Sequence, residues 1–439
     1  MKAKLLAATH AALFTAVTIT FGLMLFPLTA WSEAGSVATL QKSDLAAPQD
    51  FIDYASTSDE NIHDLYFSVI LYEGTESCLM CHQKEGEAAL DMGHFKWEGQ
   101  TSRIAGLEGQ SHGKNDLINN FCIAVPTNEA RCTQCHAGYG YADKNFNFND
   151  PRNVDCLVCH DQTGTYTKGM KTAGLPEPTV DLNAVARSIS LGSEPKRKNC
   201  IGCHAKAGGG DNVKHGDLST DMVATTREYD VHMGTAGANL ACIDCHDANH
   251  NPKSGEVNHG NAGMSLHSVN EGEMKQCADC HGNQNMVHAD TTANILFEDG
   301  WHQRLACQVC HIPAIARKKP TKVEWYWSDA GQDIDPIPID PETGMPTYDK
   351  KKGTFVWKNN VRPVLRYSNG KWNRMAINAN DKYDEEPIQL GEPLGDHSDP
   401  NAMIYPFKLM VGNQPVDPVT RTILVPHLFG TDGDRKSVV

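Results

Sequence analysis

The stretch that decides how this chain is interpreted reads Cys122-Ile-Ala-Val-Pro-Thr-Asn-Glu-Ala-Arg-Cys132-Thr-Gln-Cys135-His136. Its last five residues have the spacing Cys-x-x-Cys-His, which is typical of covalent c-type haem attachment. In such a motif two thioethers fix the edge of the porphyrin, and the histidine binds the iron. Cys122 belongs to no such motif. An unassigned thiol shortly before a haem motif makes this stretch the first place to look for chemistry.

The same motif occurs seven times and uses fourteen of the fifteen cysteines. The alternatives are zinc sites and thioredoxin-like redox pairs. Zinc does not require a histidine directly after every second cysteine, and redox pairs do not occur in sevens. The sequence therefore predicts a multihaem cytochrome c that carries seven haem c groups in this chain. The copies are Cys78/Cys81/His82, Cys132/Cys135/His136, Cys156/Cys159/His160, Cys200/Cys203/His204, Cys242/Cys245/His246, Cys277/Cys280/His281 and Cys307/Cys310/His311.

Composition bounds the partners and the fold class. The formal net charge is −15 over 439 residues, which argues against a nucleic-acid partner. Covalently held haems replace much of the apolar core, so this length need not divide into ordinary domains. We expect a mainly α fold with extensive irregular loops wrapped around closely packed haems and with little β-structure.

The N-terminus resembles a secretory signal. A basic start is followed by an apolar run from Leu5 to about Leu28 and by small residues at Ala30 and Ala34. An uncleaved membrane anchor is the alternative, but a histidine and several threonines interrupt the run. We therefore predict a signal peptide over residues 1–34, a periplasmic location, and no stable membrane span after cleavage.

The rest of the chain is expected to have two parts. Residues 35–311 hold all seven motifs and form the multihaem core, whereas residues 312–439 contain no cysteine. We expect the second part to pack on the haem core as mostly irregular structure. The predicted elements are helices over Asn61–Tyr72, Glu85–Leu90 and Val180–Leu191, and a small hairpin of Thr354–Val356 with Val361–Tyr367.

Counting histidines gives candidate axial ligands. Of twenty histidines, seven follow motif cysteines as proximal ligands and His10 lies in the signal, which leaves twelve for the distal positions. This surplus permits bis-histidine ligation of every iron. His63, His397 and His427 lie outside the dense motif region and are expected to be structural or exposed. The predicted distal ligands are His94, His215, His232, His250, His288 and His302.

Several segments together resemble the octahaem tetrathionate reductase cytochromes of bacterial periplasms. The similarity runs from about residue 60 to residue 431, and the glycine-rich segment before Leu218 is its most specific part. The matching segments are Asn119-Asn-Phe-Cys122-Ile, Cys132-Thr-Gln-Cys-His-Ala-Gly-Tyr139-Gly, Val154-Asp-Cys-Leu-Val-Cys-His-Asp161, Gly208-Gly-Gly-Asp-Asn-Val-Lys-His-Gly-Asp-Leu218, Asp230-Val-His-Met233, Cys307-Gln-Val-Cys-His-Ile-Pro313, Tyr405-Pro-Phe-Lys-Leu-Met-Val-Gly-Asn-Gln-Pro415 and Pro426-His-Leu-Phe-Gly430.

This resemblance implies an active site at the second haem. By position, Lys214 would be its distal ligand, Asp211 would stabilise the displaced ammonium, and Cys122 would lie beside a sulfur-containing substrate. Burial favours the neutral amine that iron requires. Without the resemblance, Lys214 would be interpreted as a surface lysine after a flexible loop, and Cys122 as an inert buried thiol. The family carries an eighth haem beyond the segment matched by Pro426–Gly430, so we expect this sequence to be C-terminally truncated.

The leading hypothesis is therefore an enzyme, a periplasmic multihaem oxidoreductase. The resemblance implies reduction of tetrathionate to thiosulfate, with nitrite or hydroxylamine as further small oxyanion or nitrogen substrates. The expected electron donor is a small redox protein or a quinol-linked cytochrome. The alternative is a non-enzymatic electron-transfer cytochrome in which every iron has two histidine ligands. Whether Lys214 binds iron separates the two hypotheses.

Overall fold

The structure is a computed structural model, in which the described residues are 60–118, 124–214, 216–246, 248–250, 257–261, 275–282, 302–373, 382–383 and 386–428, with Asp50, Phe51, Tyr54 and His288. All of these belong to one compact unit, Leu45–Val439. Two predicted site residues, Cys122 and His215, lie outside the described residues, as does the predicted signal peptide. Within the described ranges, no helix is long and apolar enough to cross a membrane.

The helices of the described part are short, with at most eight residues each. They are α1 Ile62–Val69, α2 Glu76–Leu79, α3 Gln83–Ala89, α4 Gly93–Lys96, α5 Glu129–Cys132, α6 Leu157–His160, α7 Leu182–Arg187, α8 Arg197–His204, α9 Cys277–His281 and α10 Cys307–His311. Six 3-10 turns accompany them, at Thr133–Cys135, Pro151–Asn153, Thr220–Ala224, Cys242–Asp244, His302–Arg304 and Trp327–Asp329.

The three predicted helices are confirmed with different bounds: the first and third are shorter than predicted, and the second begins two residues earlier and ends one residue earlier. Asn61 caps α1 because its side chain accepts a hydrogen bond from the backbone N–H of His63 at 3.1 Å. Asp181 caps α7 in the same way, accepting from Ala184 at 2.9 Å. The caps place both helix starts one residue after a short polar side chain.

The strands pair into small sheets. They are β1 Glu98–Gln100, β2 Ser111–Gly113, β3 Ala248–His250, β4 Val257–Asn261, β5 Thr321–Tyr326, β6 Tyr348–Asp349, β7 Gly353–Lys358, β8 Val364–Ser368, β9 Trp372–Asn373, β10 Glu392–Pro393, β11 Met403–Phe407, β12 Val411–Asn413, β13 Val416–Asp417 and β14 Thr422–Ile423. One sheet has four strands in the order β12-β5-β7-β6, and the other strand pairs are β1-β2, β3-β4, β8-β11, β9-β10 and β13-β14.

The cysteine-free segment is therefore more regular than the sequence analysis expected, and the expectation of little β-structure does not hold there. The predicted hairpin is also wrong in its pairing. Strands form at both predicted places, but β7 lies between β5 and β6, whereas β8 pairs with β11. Both edges of β7 are already occupied, so β8 must find another partner.

The four-stranded sheet covers an aromatic cluster that also holds residues from other parts of the chain. Trp325, Trp327, Phe355 and Trp357 pack there with Val213, which is fully buried. Leu428 and partly buried Met345 and Met410 complete the cluster. We call this group the tail cluster. It joins the C-terminal sheet to the glycine-rich segment that contains Lys214.

Candidate functional site

Each haem-attachment motif lies on a helical turn. Motif residues fall in α2, α5, α6, α8, α9 and α10, and in the 3-10 turns at Thr133–Cys135 and Cys242–Asp244. Residues three apart on a helix share one face, so a turn of this kind presents both sulfurs of a motif on the same side. All fourteen motif cysteines are free of disulfide bonds in the structure. This geometry fits two thioether links to one porphyrin edge.

Motifs that are distant in sequence are neighbours in space. The sulfur atoms of different motifs come within hydrogen-bonding contact, which would bring the attachment edges of their haems together. The pairs are Cys78 with Cys156, Cys135 with Cys203, Cys200 with Cys242, and Cys277 with Cys307. This packing connects the first motif to the third, the second to the fourth, the fourth to the fifth and the sixth to the seventh.

Six cysteines and histidines of the last three motifs are exposed to solvent. They are His246, Cys277, Cys280, His281, Cys310 and His311. The reason is that other elements in the described part of the chain do not cover the turns of these motifs. The 3-10 turn at Cys242–Asp244, α9 and α10 contain no buried residue, whereas α6 buries Leu157.

The expectation of loops wrapped around closely packed haems therefore stays a prediction at these positions. Cys280 and Cys310 are the second cysteines of their motifs, and His246 is the proximal histidine of the fifth motif. The chain presents them at its surface, so protein side chains alone do not enclose the sixth and seventh attachment edges or the fifth proximal ligand. Thioether attachment at Cys280 and Cys310 and iron ligation by His246 stay predictions from the motif spacing.

Four motif histidines face a second histidine across a gap that fits an iron atom. Metal to imidazole-nitrogen bonds are about 2 Å long, so two rings on opposite sides of one iron have centres about 6 Å apart. The ring-centre separations are 5.9 Å for His63–His82, 6.0 Å for His94–His204, 6.0 Å for His232–His281 and 6.3 Å for His288–His311.

Three of these partners, His94, His232 and His288, were predicted as distal ligands. His63 was not, and the structure places it differently from our expectation. Its Nδ1 is buried without a hydrogen-bond partner among the described residues, while its ring is hydrogen-bonded to the backbone of Ile189. A metal ligand is usually held in this way by its other ring nitrogen. The signal available in the sequence was its position on the helix before the first motif.

The remaining predicted distal ligands are less defined by the structure. His302 begins a 3-10 turn before the last motif. His250 ends β3, and its side chain is not described. His215 lies outside the described residues. The assignments of these three residues stay predictions.

The histidine of the second motif is enclosed by aromatic rings. His136 is 0% exposed, and its ring lies 5.0–5.9 Å, centre to centre, from those of five aromatic residues. Burial lowers the pKa of His136 to about 3, and the charges of Lys168 and Lys114 act in the same direction. The imidazole is therefore neutral, as a metal ligand must be. The five rings are Phe95, Trp97, Tyr141, Phe146 and Phe148.

The two ring nitrogens of His136 differ in their hydrogen bonding. Nε2 donates to the carbonyl of Phe95 at 2.5 Å, whereas Nδ1 is buried without a hydrogen-bond partner among the described residues. A buried ring nitrogen with no partner is costly unless another group binds it. The arrangement therefore fits a ligand whose outer N–H is held by a backbone carbonyl.

A buried ion pair supports the backbone of this motif. The Nζ atom of Lys168 lies 2.8 Å from Oδ2 of Asp155, and both side chains are almost fully buried. The same ammonium donates to the carbonyls of His136 and Gly138, the latter at 2.9 Å. Asp155 also accepts from the Tyr166 hydroxyl at 2.6 Å. Because Asp155 directly precedes the first cysteine of the next motif, this pair ties the second motif to the start of the third.

The glycine-rich segment ends in a tight turn that presents Lys214. Asn212 adopts a left-handed conformation with φ of 61°, and its side-chain amide donates to the carbonyls of Gly216 and Lys319 at 2.8 and 2.7 Å. Val213 is held in the tail cluster, and Lys214 follows it as a partly buried residue. The turn is fixed from both sides of Lys214.

This turn is connected to the second motif through one residue of the C-terminal segment. Asn128, which is 0% exposed, precedes α5, and its carbonyl accepts hydrogen bonds from the backbone N–H groups of Arg131 and Cys132 in that helix. Its side chain accepts from the N–H of Leu428 at 2.7 Å and donates to Pro426 at 3.0 Å. Leu428 packs in the tail cluster, which also holds the residue before Lys214. Leu428 therefore contacts Asn128, next to the second motif, and packs in the same cluster as Val213, next to Lys214. We call the turn around Lys214 the lysine turn.

Asp211 is engaged by groups other than those expected. Its carboxylate accepts from the N–H and hydroxyl of Thr220 at 2.9 and 2.6 Å, and from Nζ of Lys319 at 2.7 Å. Burial raises the pKa of Asp211, but the hydrogen bonds from Lys319 and Thr220 outweigh it and bring the pKa below its usual value. The structure thus gives Asp211 a role in holding the loop. Its predicted role toward Lys214 stays a prediction.

The comparisons with known proteins agree with this picture. A family model described as bacterial cytochrome c matches residues 322–437. A protein of Archaeoglobus fulgidus, described as uncharacterized, is 25% identical over 221 residues, covering 40% of this chain and 73% of that protein.

A solved structure gives the stronger match. The crystal structure of octaheme cytochrome c from Shewanella oneidensis is 35% identical, with a TM-score of 0.72, and the match covers 84% of this chain and 79% of that one. The match thus spans most of the chain. Together with the seven motifs and the four histidine pairs, this similarity shows that the chain belongs to the octahaem cytochrome c family, whose members are multihaem c-type cytochromes.

Proposed function

We propose that this protein is a periplasmic reductase that converts tetrathionate to thiosulfate at the haem held by Cys132, Cys135 and His136. The observation that carries the proposal is the contact chain through Asn128 and Leu428, which supports placing the lysine turn at the second motif. Lys214 is then the distal ligand, and it differs from the histidines that face His82, His204, His281 and His311. A displaceable ligand of this kind marks an iron that a substrate can reach.

The haem supplies storage and transfer of electrons, and the protein supplies ligation, spacing and access. Lys214 must be deprotonated to act as a ligand. It is partly buried and directly follows Val213 of the tail cluster. Cys122, close to Val125 in sequence, would lie on the substrate side. Val125 packs with Cys132 and Cys135, which supports that placement.

The other motifs form the route for electrons. The histidine pairs 63/82, 94/204, 232/281 and 288/311 would hold low-spin haems suited to electron transfer. The sulfur contact between Cys135 and Cys203 supports direct delivery to the second haem from the fourth. Electrons would enter from a small redox donor protein or a quinol-linked cytochrome.

The charge balance of the reaction fits the local electrostatics. Two electrons cleave the central sulfur–sulfur bond of the tetrathionate dianion and release two thiosulfate dianions, with no proton consumed. Negative charge therefore doubles during the reaction, and nearby cations stabilise that change. The Lys114 ammonium lies 4.6 Å from the centre of the Trp97 ring, which itself contacts His136. It supplies positive charge beside the motif in a protein that is otherwise acidic.

Nitrite and hydroxylamine are the second candidate substrates, because the same open position and cations would accept them. Their reduction to ammonium consumes protons, unlike tetrathionate reduction. A turnover rate that falls steeply with rising pH would favour a nitrogen substrate. A rate that depends little on pH would favour tetrathionate.

The test is substrate reduction by haem-loaded protein that has been reduced beforehand. We expect oxidation of two electron equivalents per tetrathionate, and a loss of about tenfold or more in kcat/KM for Lys214→Met. Lys206→Met is the matched control, since Lys206 is an exposed lysine in the same glycine-rich region. If the unmodified protein reduces none of the three compounds, the reductase proposal fails and the electron-carrier alternative takes its place.

A further inference from the structure

A partly buried lysine at the edge of the tail cluster has no part in the reaction proposed for Lys214. Lys408 lies just after β11, and its Nζ donates to the carbonyl of Val213 at 2.5 Å and to Oγ1 of Thr321 at 2.6 Å. Val213 is the residue before Lys214. The amine of Lys408 therefore reaches the peptide group that joins Val213 to Lys214.

Thr321 extends the same contact to the other side of the turn. Its hydroxyl donates to the carbonyl of Asn212 at 2.6 Å and lies 3.2 Å from that of Val213. Thr321 is 0% exposed and is the first residue of β5. Lys408, Thr321 and the two carbonyls thus form a continuous hydrogen-bonded clamp, which fixes successive peptide groups directly before Lys214.

We propose that Lys408 is a positioning residue for Lys214, holding the turn through this clamp so that the Lys214 amine is directed at the haem of His136. The inference rests on the proposed function, because it assumes that Lys214 is the distal ligand. It also gives the cysteine-free segment a specific role. That segment supplies both Lys408 and Thr321, and it would control how readily the ligand leaves.

The chemistry of a buried amine suits this role. Burial lowers the pKa of Lys408 to about 7, and the charge of Lys322 contributes. Both the ammonium and the neutral amine have N–H donors for the two acceptors, so the clamp forms in either state. Because the acceptors are a buried carbonyl and a buried hydroxyl, losing the donor would remove one hydrogen bond from each of them.

The experiment measures how fast Lys214 leaves the iron. Cyanide binding to the oxidised, haem-loaded protein is followed by stopped-flow absorbance, and the histidine/lysine haem signal is followed by EPR. We expect Lys408→Met to speed cyanide binding by about tenfold, consistent with the loss of one buried hydrogen bond, and to weaken the signal. Lys408→Arg, which keeps a donor, should restore part of the effect.

Two further variants keep the result interpretable. Thr321→Val removes the hydroxyl at nearly constant shape and should shift the binding rate in the same direction. Lys322→Met is the matched control, because the Lys322 ammonium lies 3.3 Å from the Phe355 ring centre and 5.0 Å from that of Trp357. It removes a buried lysine of the same cluster and should leave the rate unchanged.

The outcomes separate this inference from the proposed function. If the unmodified protein has no histidine/lysine signal, the proposed function fails and this inference falls with it. If the signal is present but Lys408→Met and Thr321→Val bind cyanide at the unmodified rate, only the positioning role is overturned. Equal acceleration by Lys322→Met would also overturn it, since the effect would then be one of cluster charge.

Discussion

At the scale of single residues, the motif cysteines and histidines were readable from spacing, but the pairing of distal histidines was not. A distal ligand approaches from any direction in the fold, so nothing in the sequence near His204 indicates His94 as its partner. His63 is a second case. It lies away from the dense motif region, yet its ring centre is 5.9 Å from that of His82. Such pairings depend on tertiary structure, which brings distant segments together.

Exposure of the motif residues is a further property that spacing does not reveal. The motif of His136 and that of His246 look alike in sequence, yet the first histidine is fully buried and the second is exposed. The difference comes from Phe95, Trp97 and other aromatic residues that fold over His136 from elsewhere in the chain. Burial therefore follows from the path of the chain and not from the motif itself.

The His63 placement leads to a direct prediction. His63→Met should convert the first haem from bis-histidine to histidine/methionine or open ligation, raising its reduction potential. Protein-film voltammetry and near-infrared magnetic circular dichroism would detect the change. His112→Met is the control, because His112 is tied to Asp116 at 2.5 Å and to Gln110 at 2.9 Å. A variant with unchanged spectra and potentials would contradict the assignment of His63.

Lys408 gives a prediction for the pH dependence of stability. Its pKa is lowered from 10.5 to about 7 in the folded protein, mainly by burial. Between these values the unfolded chain binds a proton that the folded protein does not, so stability rises with pH across this window. At lower pH both states are protonated, and the full cost of burying the charge, on the order of a few kcal/mol, applies.

Comparison with Lys408→Met isolates the contribution of Lys408 to the pH dependence of stability. Chemical denaturation followed in the Soret band should show the unmodified protein gaining stability relative to the variant from about pH 7 upward, reaching a plateau above about pH 10.5. A difference that stays constant from about pH 6 to about pH 10 would show that Lys408 has an ordinary pKa.

At the scale of elements, local signals found the helices and missed the strand pairing. The caps at Asn61 and Asp181 lie next to their helices in sequence, so they could be recognised there. The strand that pairs with β7 could not be recognised in this way, because strands precede and follow β7 in the sequence. Which of them pairs with β7 depends on the tail cluster beneath the sheet. The burial of Phe355 and Trp357 on one face of β7 favours β5, which brings Trp325 into the same cluster.

The same scale explains why the cysteine-free segment forms a sheet. Alternating burial along β7 gives it one face for the core and one for solvent. The sequence predicts irregular structure here, because proline, glycine and aspartate are frequent in this part of the chain. Short strands between such residues are enough to form a sheet when an aromatic cluster covers one of its faces.

At the scale of the whole molecule, the class of protein followed from seven repeats of one motif, while the substrate did not. Membership of a c-type family indicates a protein located outside the cytoplasm, where haem is attached. The sulfur contacts between motifs, such as Cys78 with Cys156, depend on the path of the chain around the haems. Spacing alone could not order the haems into a route. In the proposed reductase, the ligand opposite His136 would distinguish the reacting haem.

The most direct test of that point is low-temperature EPR with near-infrared magnetic circular dichroism on the oxidised, haem-loaded protein. We expect a histidine/lysine signal beside the bis-histidine signals, lost in Lys214→Met and retained in Lys114→Met, the control for the lysine whose charge reaches His136. Bis-histidine signals alone in the unmodified protein would contradict the Lys214 assignment and the reductase proposal. Loss of the signal in Lys114→Met instead would move the ligand to Lys114.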